Sequence, residues 1–142
     1  MGAVGASFDS VYRAEFARLV RSLAVADGHE EAADAVQEAF VRAERRWSRV
    51  GSLDDPAGWV RRVALNLLAD GRRNRRRRAE ILGAVRPPDP AELDPVDLDL
   101  LAAVRGLPPQ QRRCVCLHHI AGLSVDEVAA AMAIAPGTVK ST

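Results

Sequence analysis

The stretch SVDEVAAAMAIAPGTVKS, residues 124–141, reads as two short helices joined by a tight turn. Ser124 and Glu127 have capping-box spacing: the serine oxygen takes the Glu127 amide proton and the glutamate reaches back to the Ser124 amide. The helix that follows is expected to end near Ala133. Ile134 fills the turn, and Pro136 opens a second helix through Thr138, Val139 and Lys140. Ala129 is small where the helices cross, and Val139 plugs the second helix onto the first. This is the pattern of a helix-turn-helix. DNA readers of that type lay the N-terminal side chains of the second helix in the major groove, here Thr138, Lys140, Ser141 and Thr142. A helical hairpin used only for packing is the plainer reading. Ala133 stands where a glycine would relieve the turn.

Upstream of this unit, Pro108 and Pro109 start a helix that should end near Gly122, and residues 97–105 form a short one ending at Gly106. Before it lies GAVRPPDPAELDPVD, residues 83–97, whose four prolines cannot sit inside a helix and imply an extended tether. The chain therefore divides into an N-terminal module (1–82), a Pro-rich linker (83–96) and a C-terminal module (97–142). The first module reads as three main helices. Phe8, Tyr12, Phe16, Leu19, Val20 and Leu23 recur at helical spacing until Asp27-Gly28. A second helix, about 30–47, carries Ala33, Val36, Phe40, Ala43 and Trp47 on one face. After a loop at 50–55, Asp55 caps a third helix with Pro56 at its first position. Its stripe is Val60, Val63, Ala64, Leu67 and Leu68. The expected fold is all-α: two small helical modules, the C-terminal one a helix-turn-helix. All six aromatic residues precede position 60, so each module is expected to have its own core.

Composition agrees with that class. Of 142 residues 48% are apolar and only 4% aromatic, enough for a core of packed helices. No apolar run approaches the ~20 residues that cross a bilayer. The N-terminus MGAVGASFDS lacks the basic and apolar regions of a secretory signal. Two cysteines, Cys114 and Cys116, suit a reducing compartment, and a cytoplasmic location is expected. The formal charge of +1 hides an uneven distribution: residues 72–78 hold six arginines and no acid.

Several constellations bear on function. Arg62, Asn66, Asp70 and Arg73 share one face of the third helix, opposite its apolar stripe. Arginine can hold phosphate through two hydrogen bonds, and Asn or Asp can read base edges. Arg72, Arg73, Arg75, Arg76, Arg77 and Arg78 supply sequence-independent attraction to phosphate; a solvated charged face is the plain alternative. On the second helix Asp34, Gln37, Glu38 and Arg42 lie opposite Phe40. Trp47 and Trp59 offer core packing or a stacking surface for an unpaired base. Cys114, Cys116, His118 and His119 suggest zinc, but Cys116 points about 200° from Cys114 on a helix, so four ligands cannot converge and no metal or cofactor is expected. With no phosphate-cradling glycine loop, nucleophile arrangement or carboxylate pocket, an enzyme is not expected.

Taken together, these residues resemble the extracytoplasmic-function (ECF) sigma factors of the bacterial sigma-seventy family. Asp34-Ala-Val-Gln37-Glu38-Ala-Phe40-Val-Arg42 is similar to the family's polymerase-binding segment in region two. Pro56-Ala-Gly-Trp59-Val-Arg61-Arg62-Val-Ala-Leu-Asn66, continuing to Asp70, resembles the segment that melts and reads the minus-ten element. Leu107-Pro-Pro-Gln-Gln-Arg-Arg113, then residues 122–129 and 136–141, resembles region four, which reads the minus-thirty-five element. The resemblance implies a transcription initiation factor whose partners are core RNA polymerase and promoter DNA, with an anti-sigma factor as a further candidate. It implies that Asp34, Gln37, Glu38 and Arg42 grip polymerase. It implies that the loop 48–55, with Ser48 and Arg49, pockets a flipped base near Trp59, Asn66 and Asp70, and that Arg61, Arg62 and the arginine block hold the DNA backbone. Thr138, Lys140 and Ser141 would meet the upstream element. Family members continue past Ser141 with further basic residues, so the minus-thirty-five contact of these residues alone is expected to be weak. The rival reading is a non-initiating module that docks on polymerase or an anti-sigma partner without reading promoters.

Overall fold

A computed structural model describes residues 7–82 and 98–141, and every regular element among them is an α-helix. The expected tether, the extreme N-terminus and Thr142 lie outside the described residues.

Helix α1 (Phe8–Asp27) starts where the Ser7 hydroxyl accepts the Ser10 amide at 3.1 Å. It stops at Gly28, whose φ of 97° is open only to glycine at low cost. That single residue also caps α2 (His29–Arg45), so the two helices fold back with almost no loop. Next, α3 (Trp47–Val50) is one short turn between the end of the expected second helix and the loop expected at 50–55, and it carries Ser48 and Arg49. The long helix α4 (Pro56–Leu82) begins as expected: the Asp55 carboxylate accepts the Gly58 amide at 3.0 Å. It continues without a break through the arginine block. In the C-terminal module α5 (Leu98–Arg105), α6 (Pro109–His119), α7 (Val125–Met132) and α8 (Pro136–Lys140) follow.

Phe8, Tyr12, Phe16 and Phe40 form a mutual ring cluster at the open end of the α1–α2 pair, with Trp47 edge-on to Phe8 at 5.5 Å. Leu19, Leu23, Val36, Val60 and Ala64 are fully enclosed beneath it. The helix-turn-helix forms with both arms of its capping box, Glu127 amide to Ser124 Oγ at 3.0 Å and Ser124 amide to Glu127 Oε1 at 2.9 Å. Ala133 takes the left-handed conformation at φ 57°, closing α7 with the Ile134 amide on the Ala129 carbonyl. Val139 is buried against α7, as the ten-residue spacing requires.

One expectation fails. The modules do not have separate cores: buried side chains of α1, α2 and α4 join Cys114, Leu117, Leu123 and Val128 in one continuous apolar cluster. Helix α6 packs on α1, and α7 packs on α4. Helix α4 is thus covered on two sides. That is why Leu65, outside the expected stripe, is buried while Val63 and Leu67 are only half covered.

Candidate nucleic-acid and polymerase interface

Helix α4 positions most of the candidate residues. On its uncovered face Arg62, Asn66 and Asp70 are exposed, and Asp70 ion-pairs with Arg73 one turn on. Beyond them Arg73, Arg75, Arg76, Arg77 and Arg78 all project into solvent. Arg72 is half covered. Burial lowers its pKa, and the charge of Arg112 from the neighbouring module adds to that shift. This end of the helix therefore carries a concentrated field, where a phosphate backbone would replace repulsion with attraction.

Arg61 is the correction. It was expected among the backbone-holding arginines, yet it is only 4% exposed. Its Nη2 and Nε donate to the two Glu15 oxygens at 2.7 and 3.3 Å, and Nη1 reaches Glu127 at 3.4 Å. Burial alone would lower its pKa, but Glu15, with Asp55 and Glu127, outweighs that and holds it raised. A guanidinium so enclosed is not a DNA contact in this conformation. Its neighbour Arg62, rotated by about 100° on the helix, is exposed.

On α2, Asp34, Gln37 and Arg42 are exposed and Glu38 is half covered. Arg42 donates to Glu38 at 3.1 Å, a surface pair worth little for stability and free to exchange for a partner's charges. Between α2 and α4 lies a cavity of about 350 Å³ lined by Glu38, Arg42, Arg45, Arg46, Trp59 and Val63. An indole wall with three guanidinium groups suits an unstacked base and its phosphate. The cavity is bounded by the end of α2 rather than by residues 48–55. Arg45 and Arg46 were missed in the sequence; the signal was two adjacent arginines one helical turn beyond Arg42. Ser48 and Arg49 are exposed on α3.

In the C-terminal module Thr138, Lys140 and Ser141 are exposed on α8. Cys114 lines a hollow with His118, Val125 and Val139, whereas Cys116 faces the opposite way and is wholly buried. Burial, with the Asp27 charge, pushes the Cys116 thiol up to about 12. His118 Nδ1 is 2.7 Å from the Leu123 carbonyl, and no cluster of metal ligands occurs among the described residues.

Comparison with known proteins now places this geometry. Residues 11–78 match the family described as "Sigma-70 region 2", and residues 97–142 match "Sigma-70, region 4". The chain belongs to the sigma-70 family. Region two is therefore α1–α4 and region four is α5–α8. The ECF RNA polymerase sigma factor BldN of Streptomyces coelicolor is 34% identical over 94% of this chain and 52% of its own length. The ECF RNA polymerase sigma factor SigE of Mycolicibacterium smegmatis is 34% identical over 95% of this chain and 56% of its own. The chain thus spans about half the length of these curated relatives. Among solved structures, the sigma factor RpoE of Bartonella quintana, crystallised with the anti-sigma factor NepR, shares the fold. Its TM-score is 0.72 at 24% identity, covering 94% of this chain and 86% of that one. Within the sigma-70 frame, the exposed face of α4 belongs to region two and the exposed tip of α8 to region four. No helix among the described residues is long and apolar enough to cross a membrane.

Proposed function

We propose that this chain directs core RNA polymerase to promoters in the cytoplasm, with region two docking on polymerase and reading the minus-ten element and region four contacting the minus-thirty-five element. The observation that carries this reading is the single uncovered face of α4. There Arg62, Asn66 and Asp70 run directly into a solvent-exposed arginine block on one rigid helix. Base-reading groups and phosphate-holding groups are fixed in register by that helix. The parallel face of α2, Asp34, Gln37, Glu38 and Arg42, is the polymerase contact in this reading.

The arginine-and-indole cavity receives an unpaired base, Trp59 stacking on it while Arg42, Arg45 and Arg46 hold phosphate. Thr138, Lys140 and Ser141 make the upstream contact. An anti-sigma factor is a further partner in this reading, by analogy with the RpoE–NepR pair. The test is promoter-dependent transcription with reconstituted holoenzyme. Gln37→Ala with Glu38→Arg should weaken polymerase pull-down, and Asn66→Ala with Asp70→Ala should spare the pull-down but abolish minus-ten selectivity. Full activity in both variants would remove α2 and α4 from these roles.

A further inference from the structure

We propose that Arg72 and Arg76 of region two and Arg105 and Arg112 of region four form a binding site for a small diphosphate compound, pyrophosphate or the diphosphate end of a nucleotide. The site is separate from the promoter-reading faces of α4 and α8, and it stands without the function proposed above.

The phase of α4 brings these groups together. Leu65, Arg72 and Arg76 lie about 40°, 20° and 60° round the helix from Arg61, so the four residues form one stripe on the side that meets region four. At the near end of the stripe the charges match, Arg61 reaching Glu127 at 3.4 Å. At the far end, roughly 16 Å along the axis, they do not. The acid there is Asp27, and both its oxygens are taken by Arg113, whose Nε and Nη2 donate at 3.0 and 2.7 Å. Burial first, then the charges of Arg112, Arg113 and Arg76, push the Arg72 pKa down, while Asp27 opposes them. Like charges therefore converge where one acid is already spent.

The region-four side of the cluster lacks acceptors. Arg112 Nη1 donates to the Arg105 carbonyl at 3.4 Å, tying the end of α5 to the first turn of α6. The Nε atoms of both Arg105 and Arg112 are buried, and neither finds an acceptor among the described residues. A buried charged donor left unpaired is costly, so two of them side by side call for an oxygen ligand. Arg18 Nε is buried in the same way, but its guanidinium has the Glu15 carboxylate 3.7 Å away. Arg72, Arg76, Arg105 and Arg112 form no ion pair with an acid among the described residues.

The chemistry of the cluster selects the ligand. Planar guanidinium forks recognise oxyanions, and phosphate best of all. Four guanidinium groups with no unspent acid take more than one negative charge. Arg72 and Arg76 lie one turn apart, about 6 Å along α4, so two linked phosphates meet them better than one. The compound is small, because the backbone of a duplex cannot reach enclosed Nε atoms. Arg73, Arg77 and Arg78 are exposed and point 100° or more away from Arg72, which leaves them to DNA.

The probe is pyrophosphate, titrated into the full chain at constant ionic strength and followed by calorimetry and by thermal melting. Saturable binding of one pyrophosphate per chain is expected, with a raised melting midpoint. Arg105→Gln and Arg112→Gln should each weaken binding about tenfold or more while helical circular dichroism is retained. Arg112→Lys, which keeps the charge but not the fork, should lose less. Arg77→Gln and Arg78→Gln, on other sides of α4, should leave pyrophosphate affinity unchanged. No binding above a chloride-matched blank would overturn the site. So would equal losses in the Arg77 and Arg78 variants, which would reduce it to diffuse attraction by the arginine block. A minus-ten duplex is the second arm. Arg112→Gln should keep the wild-type affinity and salt slope on it; a slope reduced by about one would give Arg112 to the DNA backbone and overturn the small-ligand reading. Pyrophosphate binding by a chain that fails to direct polymerase would refute the function proposed above and support this site.

Discussion

Arg61→Ala should destabilise the protein without touching its DNA affinity. The guanidinium and Glu15 are 5% and 7% exposed at 2.7 Å, so truncating Arg61 strands a carboxylate in the interior. Breaking such a pair costs about 3–5 kcal/mol. Arg18, 3.7 Å from Glu15 and 35% exposed, stays behind and neutralises part of that charge, which lowers the expectation to about 2–4 kcal/mol. The lost Glu127 contact adds no more than about 0.5 kcal/mol, because that carboxylate is 42% exposed. For a chain of this length such a loss lowers the melting midpoint by roughly 10 °C. Urea unfolding followed by circular dichroism and by tryptophan fluorescence is the assay. Both Trp residues sit in region two, so coincident curves would also show that the shared core unfolds as one unit. Glu15→Leu with Arg61→Met removes both charges and should recover stability to within about 1 kcal/mol of wild type. Salt titration of DNA binding should keep the wild-type slope in Arg61→Ala. A stability loss below about 1 kcal/mol, a double variant as weak as the single, or a slope reduced by about one would refute the burial reasoning.

Replacing Arg75–Arg78 with serine should weaken binding to all DNA sequences alike. Since four consecutive helical residues fan around about 300°, only about two of them face one duplex, and the slope of log affinity against log salt should flatten by about two. Ala133→Gly should raise the melting midpoint, because glycine relieves a left-handed backbone worth about 1 kcal/mol and the exposed methyl group packs on nothing that would be lost. The Glu127 carboxyl is held below its ordinary 4.5, first by the Ser124 amide and then, against the opposing pull of burial, by the Ser124 side chain and Arg61. Its contribution is therefore full above that value and lost as pH falls through the lowered one. Glu127→Gln should flatten the acid limb of a stability–pH curve; an unchanged limb would show that other carboxylates set it.

The helices, their caps and the helix-turn-helix were legible from sequence, because they are written in residues three to ten positions apart. Ser124 and Glu127, Asp55 before Pro56, and Val139 ten residues after Ala129 each act within at most about three turns of chain. The exposed face of Arg62, Asn66 and Asp70 was legible for the same reason, since helical spacing alone places them together. Arg61 was not. Its neighbour in sequence, Arg62, is an exposed arginine, and its partners Glu15 and Glu127 are 46 and 66 residues away. The same holds for Asp27 with Arg113, for the burial of Leu65, and for the arginine-lined hollow beside Trp59. Local periodicity determines which side of a helix is apolar. Which charged residue on that helix becomes enclosed depends on what a distant segment packs against it, and only the tertiary structure decides that.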